Sequence, residues 1–232
     1  MTRVVIHQPD FAPYLGFFHR FLAADLYVAL DHAQFVQNTS RAWTHRDKIK
    51  TPQGERWLSL SVEKALLGTP IKEVALSRTR DWRQDNLRLI EENYRKAKHF
   101  DEVFPEIERL YEQPIERLAD FNLSFIAWMM DAFDVRIPWL LSSSLEPVGQ
   151  RNEMLVDILR KVDARTYLSG VGARAYLEED VLKSAGIEVL WQDFRHPVYP
   201  QLHGAFVPGL SGLDMLLNCG LPRSRGILRG EQ

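Results

Sequence analysis

A β-type run, a helix-compatible run and a second β-type run follow one another three times along this chain, and that order leaves few folds open. "RVVIHQ" leads through "LGFFHRFLAA" to "LYVALD", and "IPWLLS" leads through a helix from about Asn152 to Val162 to "TYLSG". In that helix Met154, Leu155, Ile158, Leu159 and Val162 recur at helical spacing, with Asn152 as the expected N-cap. The third unit runs from "TYLSG" through a helix near Ala173 to Ala185, stops at Gly186 in the place of a left-handed cap, and resumes as "IEVLWQ". Strand, helix, strand with short connections is the pattern of parallel strands joined by crossovers. Strands near residues 3–8, 26–31, 137–142, 166–169 and 187–192 should therefore share one sheet. The fold class expected is α/β, a mainly parallel Rossmann-like sheet with crossover helices.

Two insertions interrupt the pattern without requiring a second domain, so residues 1–232 read as a single α/β domain. "HRDKIKTPQGERWLSLSV" predicts a β-hairpin insertion over about 44–62, turning at Pro52-Gln53-Gly54. "IKEVAL" predicts a further strand at an edge. A helical insertion over about 80–134 begins with an apolar stripe at Leu87, Ile90, Tyr94 and Ala97. It ends with a helix near Ile115 to Phe133, apolar on most sides and so expected to be buried. The basic, Gly-rich "PRSRGILRGEQ" predicts a frayed tail.

Composition narrows the function classes. Hydrophobic residues make up 45% and charged residues 26%, and a net charge of -2 gives no global attraction to nucleic acid or to a membrane surface. The most apolar stretch, "FNLSFIAWMMDAF", is too short to span a bilayer and is interrupted by Asp131. The first apolar run covers only Val4 to Ile6, which predicts no signal peptide. Cys219 is the single cysteine, so neither an internal disulfide nor a cysteine metal cluster can form. A cytoplasmic protein acting on a small molecule is the expectation, with its oligomeric state open.

In open parallel sheets, ligands bind beyond the carboxyl ends of the strands. The first predicted strand is followed by His7, Gln8 and Asp10, and the second by Asp31, His32 and Gln34. Ser142 to Ser144, Ser169-Gly170 and Gln192-Asp193 follow the other three. Each is ordinary for a loop, but five polar ends together point to a site. His7 and Asp10 suit a general base with its orienting acid, or a hydrogen-bonding pair for a sugar. A strand-end histidine satisfied by backbone is the alternative. "HQPDFAPYLG" is expected to form one wall. Pro9 ends the strand, Pro13 delays the helix to Tyr14 or Leu15, and Gly16 leaves space for a ligand at the positive helix end.

Asp31-His32 lacks a spaced third ligand, so no metal is assigned. Cys219, in "LDMLLNCG", reads as a small apolar residue at a helix end. No G-x-S-x-G elbow, P-loop or G-x-G-x-x-G is present. On the hairpin, Arg41, Arg46, Lys48 and Lys50 stand near Trp43 and Trp57. Arg46, Lys48 and Lys50 alternate onto one face, which suits either a bound phosphate or carboxylate or a plain solvated face.

Taken in order, "HQPDFAPYLGFFHRF", "ADLYVALDHAQF", "RDKIKTPQGERWLSLSV", "TYLSGVGARAYL" and "FVPGLSGLDMLLNCG" resemble the WbqC-like family of bacterial proteins over nearly the whole chain. The resemblance implies an association with O-antigen and other surface-polysaccharide gene clusters, and transfer of glycine or another small acyl group to a sugar. It supplies no catalytic residues. A more distant similarity, from a first strand, "PYLG" and a second strand, is to the nucleotidylyltransferases and pantothenate synthetase. Where those enzymes carry H-x-G-H to hold ATP phosphates, this chain has Tyr14, Gly16 and Phe17, so both histidines are missing. "GLSGLD" stands where such folds keep a mobile nucleotide-binding loop, and it contains Ser211 and Asp214 but no basic residue.

The leading expectation is a transferase attaching a small acyl or aminoacyl group, such as glycyl, to an amino sugar or nucleotide sugar. His7 would act as base, with Asp10 or Asp31 orienting it or binding hydroxyls. Gln8, Tyr14 and Gln34 would line the substrate, and Ser169, Gly170 and Ser211 would donate to a carbonyl or phosphate. Arg46 and Lys50 would hold a phosphate. The cofactor stays open between ATP and an activated acyl donor. An ATP-dependent amide ligase and a non-catalytic carbohydrate or nucleotide-sugar binding module are the competing classes.

Overall fold

The computed structural model describes residues 2–231 apart from 38, 40 and 41. Arg41, grouped above with the hairpin cations, lies outside the described residues. In chain order the strands are β1 (Thr2–His7), β2 (Leu26–Ala29), β3 (Arg46–Thr51), β4 (Gly54–Ser59), β5 (Trp139–Leu141), β6 (Ala164–Ser169) and β7 (Glu188–Trp191). The helices are α1 (Leu15–Phe21), α2 (Trp82–Tyr94), α3 (Phe100–Glu112), α4 (Leu118–Ala132), α5 (Arg151–Lys161), α6 (Glu179–Ser184) and α7 (Gly212–Leu228).

Five strands form one sheet in the order β5-β2-β1-β6-β7, and every neighbouring pair is parallel. This is the Rossmann-like sheet expected from the repeated grammar. Alternation along each strand divides the side chains between two apolar layers. Val5, Tyr27 and Ala29 pack with Phe17, Phe18, Phe121 and Leu213 on one face, while Val4, Ile6 and Val28 pack with Ile158, Leu159 and Leu182 on the other. Both faces of β1 are thus covered, which is why "VVI" is apolar without interruption.

The hairpin and helical insertions also fall where expected. β3 and β4 pair antiparallel with Thr51 opposite Gly54, which takes φ +106 to close the turn. Ile49 and Leu58 of the hairpin and Trp82, Ile107 and Phe125 of the helices join the α1 face of the sheet core. Among the described residues no helix is long and apolar enough to cross a membrane.

Four local expectations are corrected. "IKEVAL" is a 3-10 turn at Ile71–Glu73 with two isolated bridges, Val62 to Leu76 and Ala75 to Arg117, rather than an edge strand. Its buried Ile71 and Val74 are three residues apart, a turn spacing, and only Val74 and Leu76 keep a two-residue alternation. α5 is preceded by Gln150, while Asn152 donates from Nδ2 to Glu178 Oε1 at 3.0 Å and accepts from Glu178 N at 3.2 Å. Docking the 176–178 segment uses the amide that a cap would have used. The helix expected over Ala173 to Ala185 is a 3-10 turn followed by α6, although Gly186 does take φ +78.

Through Leu228 the tail is helical rather than frayed, and Gln232 lies outside the described residues. α7 bends at Gly220, φ +74, and continues past Pro222 with Ser224 and Leu228 buried. Arg225 Nε donates to Ala132 O at 2.9 Å and Arg229 to the carbonyls of Phe133 and Asp134, at 3.1 and 2.6 Å. These cations cap the otherwise unpaired carbonyl end of α4.

Candidate functional site

From β1 the chain moves to β2 on one side, and from β6 to β7 on the other. The order therefore reverses between β1 and β6, and the crevice beyond their carboxyl ends is the ligand position of such sheets. His7 closes β1 and Ser169 closes β6, so the first and fourth strand ends come together at this point. Gln192 joins them, its backbone N–H donating to Ser169 O at 2.8 Å.

The wall after β1 is over-determined. Asp10 N donates to Gln8 O at 2.9 Å, closing a turn around Pro9. Ala12 takes φ +42, a left-handed conformation unusual for a residue with a Cβ, and Pro13 follows it directly. The helix then begins at Leu15, as the prolines predict. Phe11 N donates to Trp43 O at 3.2 Å, and Gly212 N to Pro13 O at 2.9 Å. Asn122, fully buried on α4, donates from Nδ2 to Pro9 O at 2.7 Å and Thr44 O at 2.6 Å. Hairpin, helical insertion and C-terminal helix all hold this one turn.

Four titratable groups meet there. His7 Nδ1 lies 2.9 Å from Gln8 O and 3.5 Å from Asp10 Oδ2. A carbonyl only accepts, so Nδ1 carries the proton and Nε2 keeps its lone pair. Burial, and then the Arg20 guanidinium, push His7 down to about 3, against a weaker upward pull from the Gln8 carbonyl. Burial raises Asp10 to about 7 despite Arg20 and Thr44. Thr44 Oγ1 stands 3.2 Å from Gln8 Oε1 and 3.5 Å from Asp10 Oδ1. Asp47 is 3% exposed and burial holds it well above the usual carboxylate range, opposed by the Lys48 N–H and reinforced by Asp10.

Arg20 completes the wall. It is 4% exposed, its Nε has no hydrogen-bond partner, and it forms no ion pair among the described residues. A Cβ on Gly170 would lie 3.2 Å from its Nη1. The positive end of this site is therefore an arginine that the strand-end survey passed over. Its signal lay in "LGFFHRF", where a short helix dense in phenylalanine leaves little water-facing surface for a charge.

The remaining expected residues are placed as follows. Tyr14 is 37% exposed, and its ring sits edge-on to Phe194 at 6.1 Å. The space beside Gly16 is filled by that Tyr14 ring, and Gly16 O accepts from Gln192 Nε2 at 2.8 Å. The glycine admits a side chain of its own chain rather than opening the helix end. Asp31 is buried and accepts from Ser142 Oγ, Ser143 N and Ser143 Oγ at 2.9, 2.9 and 2.6 Å. Its lone pairs hold the turn after β5, with His32 Nδ1 2.6 Å from Ser142 Oγ. Gln34 is exposed, in an isolated bridge with Pro70.

Arg46 stacks over Trp57 at 4.2 Å and donates to Thr39 O at 2.8 Å. Lys50, expected on an exposed face, is 2% exposed, and its ammonium is held by Gln201 Oε1 and the carbonyls of Gly204 and Ala205. The loop after β7 covers that end of the hairpin. Ser211 caps α7 by accepting from Leu213 N at 3.2 Å, and its own N–H donates to Lys48 O at 2.8 Å. Asp214 accepts from Tyr94 and Tyr199 hydroxyls at 2.8 and 2.9 Å. "GLSGLD" is thus a clamped helix start with Ser211 and Asp214 fully buried, not a mobile loop. Cys219 is buried and its thiol is pushed up by that burial.

Sequence reasoning also missed Thr44, Asp47 and Asn122, which reach the site only through the insertions. A separate broad groove along α2 and α3, lined by residues such as Arg78, Arg83, Glu112 and Glu116, includes none of the strand-end residues.

The fold and site define an α/β protein with a polar, arginine-bearing wall at the switch point of a parallel sheet. The chain belongs to the WbqC-like protein family, whose model matches residues 8–225. It is 30% identical over 223 residues to the uncharacterized protein Rv1507c of Mycobacterium tuberculosis, covering 95% of each chain. No solved structure matches it.

Proposed function

We propose that this chain is an enzyme that attaches a small acyl or aminoacyl group, such as glycyl, to the amine of an amino sugar or nucleotide sugar in polysaccharide or natural-product biosynthesis. The observation that carries this reading is the His7–Asp10 pair at the β1 end, 3.5 Å apart. An amine that attacks an activated carbonyl forms the new C–N bond as the donor's leaving group departs, and its nitrogen must give up a proton. A carboxyl held at about 7 accepts and returns a proton near neutrality, where general acid–base groups are most effective. His7, uncharged at that pH, presents Nε2 as a second acceptor.

Two features support the sugar part of the reading. Trp43 and Trp57, 5.4 Å apart, offer aromatic surface beside the wall, and Trp43 is tied to it through Phe11. Gln8, Asp10 and Thr44 supply the convergent polar atoms that orient a hydroxylated ligand.

The test is product formation followed by mass spectrometry, with amino-sugar nucleotides and activated aminoacyl donors offered as a panel. His7→Ala and Asp10→Ala should each lower turnover by about 10²–10⁴-fold, the range for a lost general acid or base. Full turnover in both variants would sink the assignment. Release of AMP and pyrophosphate with product would point instead to an ATP-dependent ligase.

A further inference from the structure

We propose that Arg20 anchors a binding site for an oxyanion, a phosphate or carboxylate group of a small-molecule ligand, at the β1/β6 switch point. The inference rests on reading the strand ends as a ligand site, and it is independent of whether an acyl group is transferred there.

Burying a cation is costly unless a partner repays its lost hydration. Lysine or histidine can escape by losing a proton, but the guanidinium of arginine stays charged. Arg20 is 4% exposed, with Nε buried and unbonded. Among the described residues no carboxylate pairs with it, and no hydrogen bond of its side chain is formed. It sits in the last turn of α1, where the helix dipole favours a cation, yet no backbone carbonyl receives its Nε.

The titratable groups around Arg20 come from several elements. His7 is on β1, Asp10 follows it, Tyr14 precedes α1, Tyr27 is on β2 and Tyr167 on β6, and each lies within electrostatic reach of the guanidinium. Phe17 places its ring centroid 5.8 Å from Cζ. The tyrosines and His7 bring no negative charge at neutral pH, and Asp10 remains outside ion-pair distance. The countercharge must then come from outside the chain.

Gly170 shows where it would enter. A Cβ there would lie 3.2 Å from Nη1, 3.7 Å from Cζ and 3.9 Å from Gln192 Oε1. The end of β6 therefore passes close along the guanidinium edge, and a side chain at 170 would crowd the approach. A planar fork of N–H donors beside a strand end that carries no side chain matches an oxyanion that accepts two hydrogen bonds. Phosphate and carboxylate share that chemistry.

The experiment uses the full chain and four probes at constant ionic strength: inorganic phosphate, pyrophosphate, acetate and glycine. Thermal melting and titration calorimetry should show a concentration-dependent rise in Tm with one class, since a ligand that binds only the folded state stabilises it. A rise with phosphate and pyrophosphate assigns a phosphoryl group, and a rise with acetate and glycine a carboxylate. Arg20→Met should weaken that binding at least about tenfold, the loss expected for a charge-assisted contact. Its ligand-free Tm should equal or exceed that of the parent, because an unpaired buried charge has been removed. Gly170→Ala should weaken binding while the ligand-free Tm stays unchanged. No rise with any probe, a rise that persists in Arg20→Met, or a lower ligand-free Tm in that variant would overturn the proposal, the last by marking Arg20 as a structural cation.

Discussion

His7 Nδ1 and Asp10 Oδ2 stand 3.5 Å apart, and burial drives the two groups toward the uncharged state from opposite sides, one to about 3 and the other to about 7. The folded protein therefore resists the proton that His7 takes up when unfolded, and keeps the proton that Asp10 gives up. Arg20 deepens the first effect and limits the second, since its charge disfavours imidazolium and favours carboxylate.

These shifts set the pH dependence of stability. His7 falls from 6.5 to about 3, so its contribution is lost as pH drops from 6.5 toward 3. Asp10 rises from 3.8 to about 7, so its contribution is lost as pH climbs from 3.8 toward 7. The two slopes oppose each other in the shared window. Asp10→Asn should melt higher than the parent at pH 8 and lose that advantage by pH 4. His7→Asn, which keeps a donor for Gln8 O, should show its advantage at pH 4 and none at pH 8. Melting curves of both variants that run parallel to the parent across this range would contradict the shifts.

Asn122 is the test of how the wall is held. Asn122→Leu keeps the number and branching of the side-chain heavy atoms but removes the donor to Pro9 O and Thr44 O. A buried acceptor left unpaired costs about 1–3 kcal/mol, partly offset here because Asn122 Oδ1 is itself unpaired. Urea denaturation should register a loss of about 1–3 kcal/mol. An unchanged midpoint would mean that the turn after β1 holds its shape without α4.

Lys50→Met separates a buried ammonium from a surface one. An exposed lysine on a hairpin contributes within about 0.5 kcal/mol. Here the substitution leaves the carbonyls of Gly204 and Ala205 without that donor, while Gln201 Oε1 keeps Val207 N, so a loss of about 2–4 kcal/mol is expected. A midpoint in urea equal to the parent's would return Lys50 to the solvated face of the hairpin.

Ending the chain after Leu221 probes the tail. The truncation removes the buried Leu228, worth about 1.5–3 kcal/mol, together with the arginines that cap α4. A fall in Tm of at least about 5 °C should follow for a domain of this size. A truncated chain that melts with the parent would restore the frayed-tail expectation.

The periodic features of the sequence were enough to determine the elements of this protein and their class. Short β-type segments between helical stripes specify β1, β2, β6 and β7, each four to six residues long, and Gly186 marks a helix stop, because these depend on neighbours within a turn or two. That polar residues follow successive parallel strands was also readable, and the ends of β1 and β6 adjoin where the strand order reverses. What each polar residue does was decided only by tertiary structure. Asp31 is spent on Ser142 and Ser143, Lys50 on the loop after β7, and the gap beside Gly16 on Tyr14. Arg20 looks in sequence like an ordinary helix cation, yet it is buried with an unbonded Nε and no ion pair among the described residues. Periodicity is a local property of the chain. Burial and hydrogen-bond satisfaction depend on which distant segments arrive to cover a side chain, and here α4, the hairpin, α7 and the loop after β7 come from 30 to 200 residues away.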